Sequence, residues 1–289
     1  MTVQEKERRL SSTTSAPPFG RRRTRSTASR RTTLLRGAAG FAALFAIAEL
    51  VSRSGIVSET FLPPTSLVLL RVVELLVTPS FLVEVGATLS AWAIGLAICI
   101  VVSVTIGVLL GSSRAAYSGS RAVIEFLRPI PSVALIPLAM LVLGNDAEMK
   151  IALIVFSTSW PVLFNTIYGM HDVDPIAKLT AKSFGHGRLS TLLTVSLPSA
   201  MPFIFTGIRI AASVALIVAI SAELLAGASN GLGRWMLDAS ATGNRPDLVF
   251  AATIIAGLLG LIINFLLQLI ERRFLGWQTA LRPTGGASK

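Results

Sequence analysis

Between residues 85 and 110 the chain reads VGATLSAWAIGLAICIVVSVTIGVLL, without one charged side chain. About 20 consecutive apolar residues let a helix cross the hydrocarbon core of a bilayer. This run is longer than that. Its glycines Gly95 and Gly107, with Gly111 just beyond, stand where small residues let helices approach closely. A β-barrel would instead need many short segments in which apolar and polar residues alternate. No such alternation is present, so residues 85–110 predict a membrane-spanning helix.

Comparable runs lie at residues 37–51, 130–143, 150–170, 199–226 and 248–270. The reading is an all-α integral membrane protein with about six transmembrane helices. Composition agrees: 52% of the 289 residues are hydrophobic and 14% are charged, with a mean hydropathy of +0.70, whereas soluble chains carry about 25% charged residues. Ala46-Ile47-Ala48 has the form of a signal-peptidase site, but the polar stretch before it is far longer than a usual n-region and further spans follow. Residues 37–51 are therefore read as an uncleaved first span.

Charge sets the expected orientation. Residues 1–36 form a basic tail rich in Ser, Thr and Arg, disordered by composition, with Arg21, Arg22, Arg23, Arg25, Arg30 and Arg31. A net charge of +11 would suggest nucleic acid in a soluble protein. Ahead of a first span, such a tail is what the positive-inside rule asks for, so lipid rather than nucleic acid is the expected partner. Arg114, Arg121 and Arg128, then Lys178, Lys182 and Arg188, then Arg272, Arg273, Arg282 and Lys289 fall on the same side. Arg53, Arg71, Lys150, Arg234 and Arg245 fall on the other, several near Asp146, Glu148, Asp238 or Asp247. A multi-pass membrane protein with both termini cytoplasmic is expected.

Phe61-Leu62-Pro63-Pro64-Thr65 breaks the chain before an amphipathic stretch at 66–77, read as a short helix at the outer membrane surface. No internal repeat is visible, which gives an inverted-repeat transporter no support. The single cysteine, Cys99, allows neither an intrachain disulfide nor a cysteine-based metal site. His171 and His186 lie outside the spans without partners at ligand spacing, so no metal site is expected. A Gly-rich phosphate loop is also missing, and no catalytic centre is recognisable.

The segment 171–198 is too polar to span. Asp174-Pro175 is a helix start, Asp as cap and Pro at the first position. Residues 176–184 make about two turns, Gly185 is placed to end them, and a second helix is read at about 189–195, running into Leu197-Pro198. By composition this is an ordinary solvated connector. Ala177, Ala181, Phe184 and Leu193 nevertheless put small and apolar residues where water does not reward them. That favours a docking element.

This loop resembles that of the membrane-spanning permeases of ATP-binding-cassette importers. Their pattern runs Glu-Ala-Ala, three residues, Gly, nine residues, Ile, one residue, Leu-Pro. Here it reads Leu179-Thr180-Ala181, Gly185, Val195 and Leu197-Pro198, with Leu179 in place of Glu and Thr180 in place of the first Ala. The resemblance covers residues 62–277 and narrows to the branch for nitrate, sulfonates and taurine. It is carried further by Leu127-Arg128-Pro129-Ile130-Pro131, Ile136-Pro137-Leu138, Pro202 with Gly207 and Arg209, Gly231-Leu232-Gly233, and Glu271-Arg272-Arg273 with Trp277.

The resemblance implies a type I importer permease domain over 37–276, with a coupling loop at 171–198 that seats on a separate ATPase subunit and a cytoplasmic tail at 277–289. It also implies a homodimer, an extracytoplasmic solute-binding protein, and ATP with Mg on the partner ATPase, none of it bound by this chain. The implied cargo is a small anion of the sulfonate, taurine or nitrate type; a thiamine or riboflavin precursor, or an aromatic acid, is the alternative. A secondary transporter would need no ATPase. An intramembrane serine protease would need Ser and His within spans, and both histidines lie outside them.

Polar residues inside spans mark a pathway or a packing contact. Ser157, Thr158, Ser159 and Asn165 surround Trp160-Pro161, where they either satisfy a backbone freed by proline or line a path for an oxyanion. Arg209 is a packing partner or part of an inner gate. Glu223, about 21 Å further along the same helix, is an interfacial salt bridge before it is a substrate contact. Ser213 and Ser221 could join the lining.

Overall fold

The computed structural model describes residues 30–58, 61–243 and 245–275. Most of the basic tail, Trp277 and residues 277–289 lie outside them. The chain divides into two compact units, residues 1–48 and 49–289. In the first, residues 30–48 belong to helix α1, Arg30–Arg53. The helix thus starts inside the stretch read as tail, since Arg and Leu are good helix formers that extend an apolar helix at its polar end.

The second unit follows in chain order: α2 (Thr65–Leu76), α3 (Pro79–Ser112), α4 (Arg114–Leu127), a 3-10 turn (Ser132–Leu135), α5 (Ile136–Leu143), α6 (Ala147–His171), α7 (Pro175–Ser183), α8 (Arg188–Thr191), a π-turn (Leu192–Ser196), α9 (Leu197–Ala226), α10 (Leu232–Gly243) and α11 (Pro246–Phe274). No strand occurs among the described residues. Five helices are long and apolar enough to cross a membrane, and a sixth span results if α4 and the segment Ser132–Leu143 count as one.

That sixth span corrects the sequence reading. Residues 130–143 are not one helix, and the arginine-bearing segment before them is not a loop but α4. The two pieces meet at 75°. Pro129 and Pro131 lack the N–H a continuous helix needs, and Pro131 is extended at ψ 118°. Arg128 rests on the Phe164 ring at 4.7 Å, which holds the break against α6.

The centre is a trio of helices in which α3 and α6 run parallel and α9 runs against both. Their close approach is made by small residues. A Cβ on Gly95, Gly107 or Gly111 of α3 would stand 2.7, 2.7 and 2.6 Å from Ile154, Thr166 and Met170 of α6. One on Gly207 of α9 would stand 2.9 Å from Asn165 of α6. Ala211, Ala212, Ala215, Ala219 and Ala222 give α9 a fully buried alanine stripe. Cys99 is sealed in the same core with Leu96, Val162 and Leu216. Val101, Leu109 and Phe265 are exposed, apolar surface of the kind a bilayer covers.

The short helix α2 packs Val68, Val72 and Leu75 against Ala251, Ala252 and Ile255 of α11. Glu49 closes its N-terminus, accepting from the Ser66 N–H at 2.9 Å and hydroxyl at 2.8 Å. Arg71 ties it to Asp247, which Arg245 also meets, both at 2.9 Å. Outside the spans, Glu74 and then Asp247 raise the Arg71 guanidinium further above its usual pKa, and Asp247 does so for Arg245. This corner stays charged at any physiological pH.

Candidate functional site

The loop between α6 and α9 is built by caps and one special backbone position. The Asp174 carboxylate accepts from the Ile176 N–H at 2.8 Å and starts α7. Gly185, at φ +83°, ends it. Its N–H donates to the Lys182 carbonyl at 2.9 Å, and that of His186 to the Ala181 carbonyl at 3.1 Å. No atom would touch a Cβ at Gly185, so glycine is required there by conformation alone.

The exposed apolar positions of the loop differ from those expected. Ala181 is buried and Ala177 half-buried, because they are the residues α7 turns toward the rest of the protein. The exposed apolar positions are Ile176 (70%), Leu179 (61%), Phe184 (80%), Leu189 and Leu193. Leu179, which stands where the resembling loops carry Glu, is thus part of a hydrophobic face. Thr180 is exposed and donates to the Ile176 carbonyl at 2.9 Å.

The second helix of this loop is not separate. Residues 188–226 continue as one helical run, with a π-turn at Leu192–Ser196. Pro198 has no N–H to offer the Thr194 carbonyl, and the Leu197 N–H reaches back to Leu192 instead. Val195 sits within that wide turn, and Leu197 and Pro198 open α9, all three half-buried. The loop is therefore joined to a central helix without an interruption.

At the opposite end of the spans lies a buried polar knot. Lys150 and Glu223 meet at 3.1 Å with side chains 1% and 0% exposed. Lys150 also donates to the Asn230 carbonyl at 3.1 Å and its side-chain oxygen at 3.0 Å. Thr88 shares its proton between both Glu223 oxygens at 2.9 Å and accepts from the Leu232 N–H at 2.8 Å. The Gly233 N–H donates to Glu223 at 2.9 Å, and that of Gly231 to Glu84. A Cβ on Gly231 would fall onto the Glu223 carboxylate, and one on Gly233 onto the Ile220 carbonyl and the Glu223 Cβ, so both glycine positions of this Gly-Leu-Gly turn exclude a side chain. Glu223 is enclosed rather than interfacial, and Lys150 pairs with it rather than with Asp146 or Glu148. Neither can touch a solute here.

The polar residues of α6 serve their own helix. Ser157 and Thr158 donate to the Ile154 carbonyl at 3.1 and 2.6 Å, Ser159 to Val155 at 2.6 Å, and Asn165 to Pro161 at 2.8 Å. Thr158 is fully buried. Ser159 borders a groove of about 660 Å³ shared with Phe156 and Trp160, and Ser157 and Asn165 are half-buried.

Arg209 and Ser213 do come together. They line a groove of about 650 Å³ between α9 and α11, with Thr253, Gly257, Gly260 and Asn264. Arg209 is partly balanced by Glu271 at 3.3 Å, both side chains remaining partly exposed. Ser221 is half-buried and outside this lining. Asn264 was missed by the sequence reading; its signal is an amide, with Gln268 one turn further on, in an otherwise apolar run. A guanidinium, an amide and hydroxyls on an apolar wall offer donors without a dominant charge.

Residues 103–276 match the family model described as the binding-protein-dependent transport system inner membrane component. A putative aliphatic sulfonates transport permease protein, SsuC of Bacillus subtilis, is 29% identical over 239 residues, covering 83% of this chain and 86% of that one. A nitrate import permease protein, NrtB of Leptolyngbya laminosa, is 28% identical over 190 residues, covering 66% and 67%. Among solved structures, an inward-facing form of the MetNI methionine ABC transporter shares the fold at a TM-score of 0.60 and 16% identity, covering 67% of this chain and 95% of that chain.

Proposed function

Since the chain belongs to the family of binding-protein-dependent transport system inner membrane components, we propose that it is the permease subunit of an ATP-driven importer for a small oxyanion. The cargo class is an aliphatic sulfonate, taurine among them, or nitrate. Two copies enclose one pathway, each seated on an ATPase subunit that binds ATP and Mg, and an extracytoplasmic binding protein delivers the solute. The chain itself performs no catalysis. Residues 37–276 form the permease domain, flanked by tails at 1–36 and 277–289, with both termini in the cytoplasm.

The observation that carries this reading is the loop. Ile176, Leu179 and Phe184 present an apolar face to solvent on and beside α7, a helix fixed at both ends, and the next helix, α8, is continuous through the π-turn with α9. A push on the loop reaches α9, whose Arg209 and Ser213 border the groove beside α11. Closure of paired ATPases on ATP would thereby move the groove, and hydrolysis would reset it. Donors from Arg209, Ser213 and Asn264 suit a weakly hydrated oxyanion, and the names of the sulfonate and nitrate relatives point the same way.

The test is reconstitution of the chain with its ATPase and binding protein in liposomes. Phe184→Asp with Leu179→Asp is expected to abolish both solute uptake and solute-stimulated ATP hydrolysis while membrane insertion is kept. Unchanged uptake would overturn the coupling role.

A further inference from the structure

The loop carries a second feature. Lys178 and Lys182, one helical turn apart on α7, and Arg188 at the start of α8 line a pocket of about 570 Å³. The pocket is closed by the end of α3 at Gly111 and Ser112 and by Met170, Leu189 and Leu192. No carboxylate lines it, and none of the three cations forms a salt bridge among the described residues. Lys178 reaches only the Met170 carbonyl, at 3.5 Å. Like charges one turn apart repel, and the carbonyl end of α3 returns only about half an elementary charge. Three cations thus converge on a space that holds nothing to balance them.

A second observation points to a ligand. Thr191 lines the same pocket and is 7% exposed, and its hydroxyl has no hydrogen-bond partner. Buried hydroxyls are nearly always satisfied, so one enclosed without a partner in the wall of a pocket lined by cations points to an acceptor that reaches it when the lining side chains part. The pocket lies where the loop meets the ends of α3 and α6, two of the helices long and apolar enough to span a membrane. There, basic pockets between spans meet anionic headgroups.

We propose that this pocket binds a phosphate group, held by Lys178, Lys182 and Arg188 and accepting from the Thr191 hydroxyl. An anionic phospholipid supplies such a group with a glycerol backbone that Leu189, Leu192 and Met170 can cover; free phosphate supplies the group alone. Such a ligand would steady the loop in the orientation in which its apolar face points outward. The site is read by binding, so its failure leaves the transport reading untouched.

The test uses the full-length chain in nanodiscs of equal parts phosphatidylglycerol and phosphatidylcholine, released into native mass spectrometry. The wild type is expected to retain phosphatidylglycerol in preference to phosphatidylcholine. The variant K178Q/K182Q/R188Q is expected to lose that preference, and Thr191→Val to lower it several-fold. Since the buried Thr191 hydroxyl has no partner, Thr191→Val is expected not to lower the unliganded Tm, and it decides the matter should the triple variant not fold. A second arm titrates inorganic phosphate in discs of phosphatidylcholine only. A Tm rise in the wild type that the triple variant lacks, without lipid preference, assigns the pocket to soluble phosphate. The proposal is overturned if R272Q/R273Q, at the same end of the spans, lowers retention as much as the triple variant. It also falls if neither arm separates wild type from variants.

Discussion

Lys150 and Glu223 show what a charge inside a membrane protein requires. Each alone would be a buried ion with a desolvation cost of several kcal/mol; together, with Thr88, Asn230 and the Gly233 N–H, every polar atom finds a partner. Removing one member should therefore cost more than removing both. Glu223→Gln or Lys150→Met is expected to lower stability by about 3–5 kcal/mol, whereas Lys150→Met with Glu223→Leu lowers it less than either alone. Thermal unfolding in detergent ranks the three; a double variant below both singles contradicts the pairing. At this scale the sequence was only half legible. Gly231-Leu232-Gly233 stands out as a motif, and Glu223 as a charge within a span, but nothing along the chain joins them to Thr88 and Lys150. Those partners lie on other helices, brought close only by the small-residue packing of α3, α6 and α9.

Among elements, the π-turn at Leu192–Ser196 decides how the loop is presented. Each residue of an α-helix turns the chain by about 100°, so the extra residue of a π-turn sets the rotational position of α7 and α8 against α9. Pro198 maintains it by withholding a donor. Pro198→Ala restores that donor, and with a regular helix the face made by Ile176, Leu179 and Phe184 turns away from its docking direction. Reconstituted Pro198→Ala is expected to lower uptake per ATP hydrolysed; an unaltered ratio would show that the wide turn has no part in coupling. The spans at 85–110, 150–170, 199–226 and 248–270 and the cap at Asp174 were legible, because apolar length and capping are local signals. The break at Pro129 and Pro131 was less so: prolines mark a bend but not its angle, and α4 reads as a basic loop until Ile124 is seen packed beside Leu163 and Ile167. Ala181 misled for a related reason, since a small residue suits a buried position as well as an exposed one.

For the whole molecule, the division of charge between the two ends is the orientation argument, and the structure offers a means of checking it. Cys99, the single cysteine, is fully buried and silent toward aqueous reagents. Gly187→Cys, in the exposed loop, is expected to resist a membrane-impermeant maleimide on intact cells and to react once cells are opened. Ser229→Cys, exposed at the opposite end, should react on intact cells. The reverse pattern would invert the topology. The same arrangement has a mechanical side. The Lys150–Glu223 knot binds α3, α6, α9 and the 230–233 turn at one end, the glycine contacts hold the same three helices together along their length, and at the far end α9 passes directly into the 171–198 loop. A body clamped at one end and pushed at the other behaves as a lever with its fulcrum at the clamp. Along the 30 residues of α9, about 45 Å, a tilt of about 10° would sweep the loop end through about 8 Å while the knot stays in place.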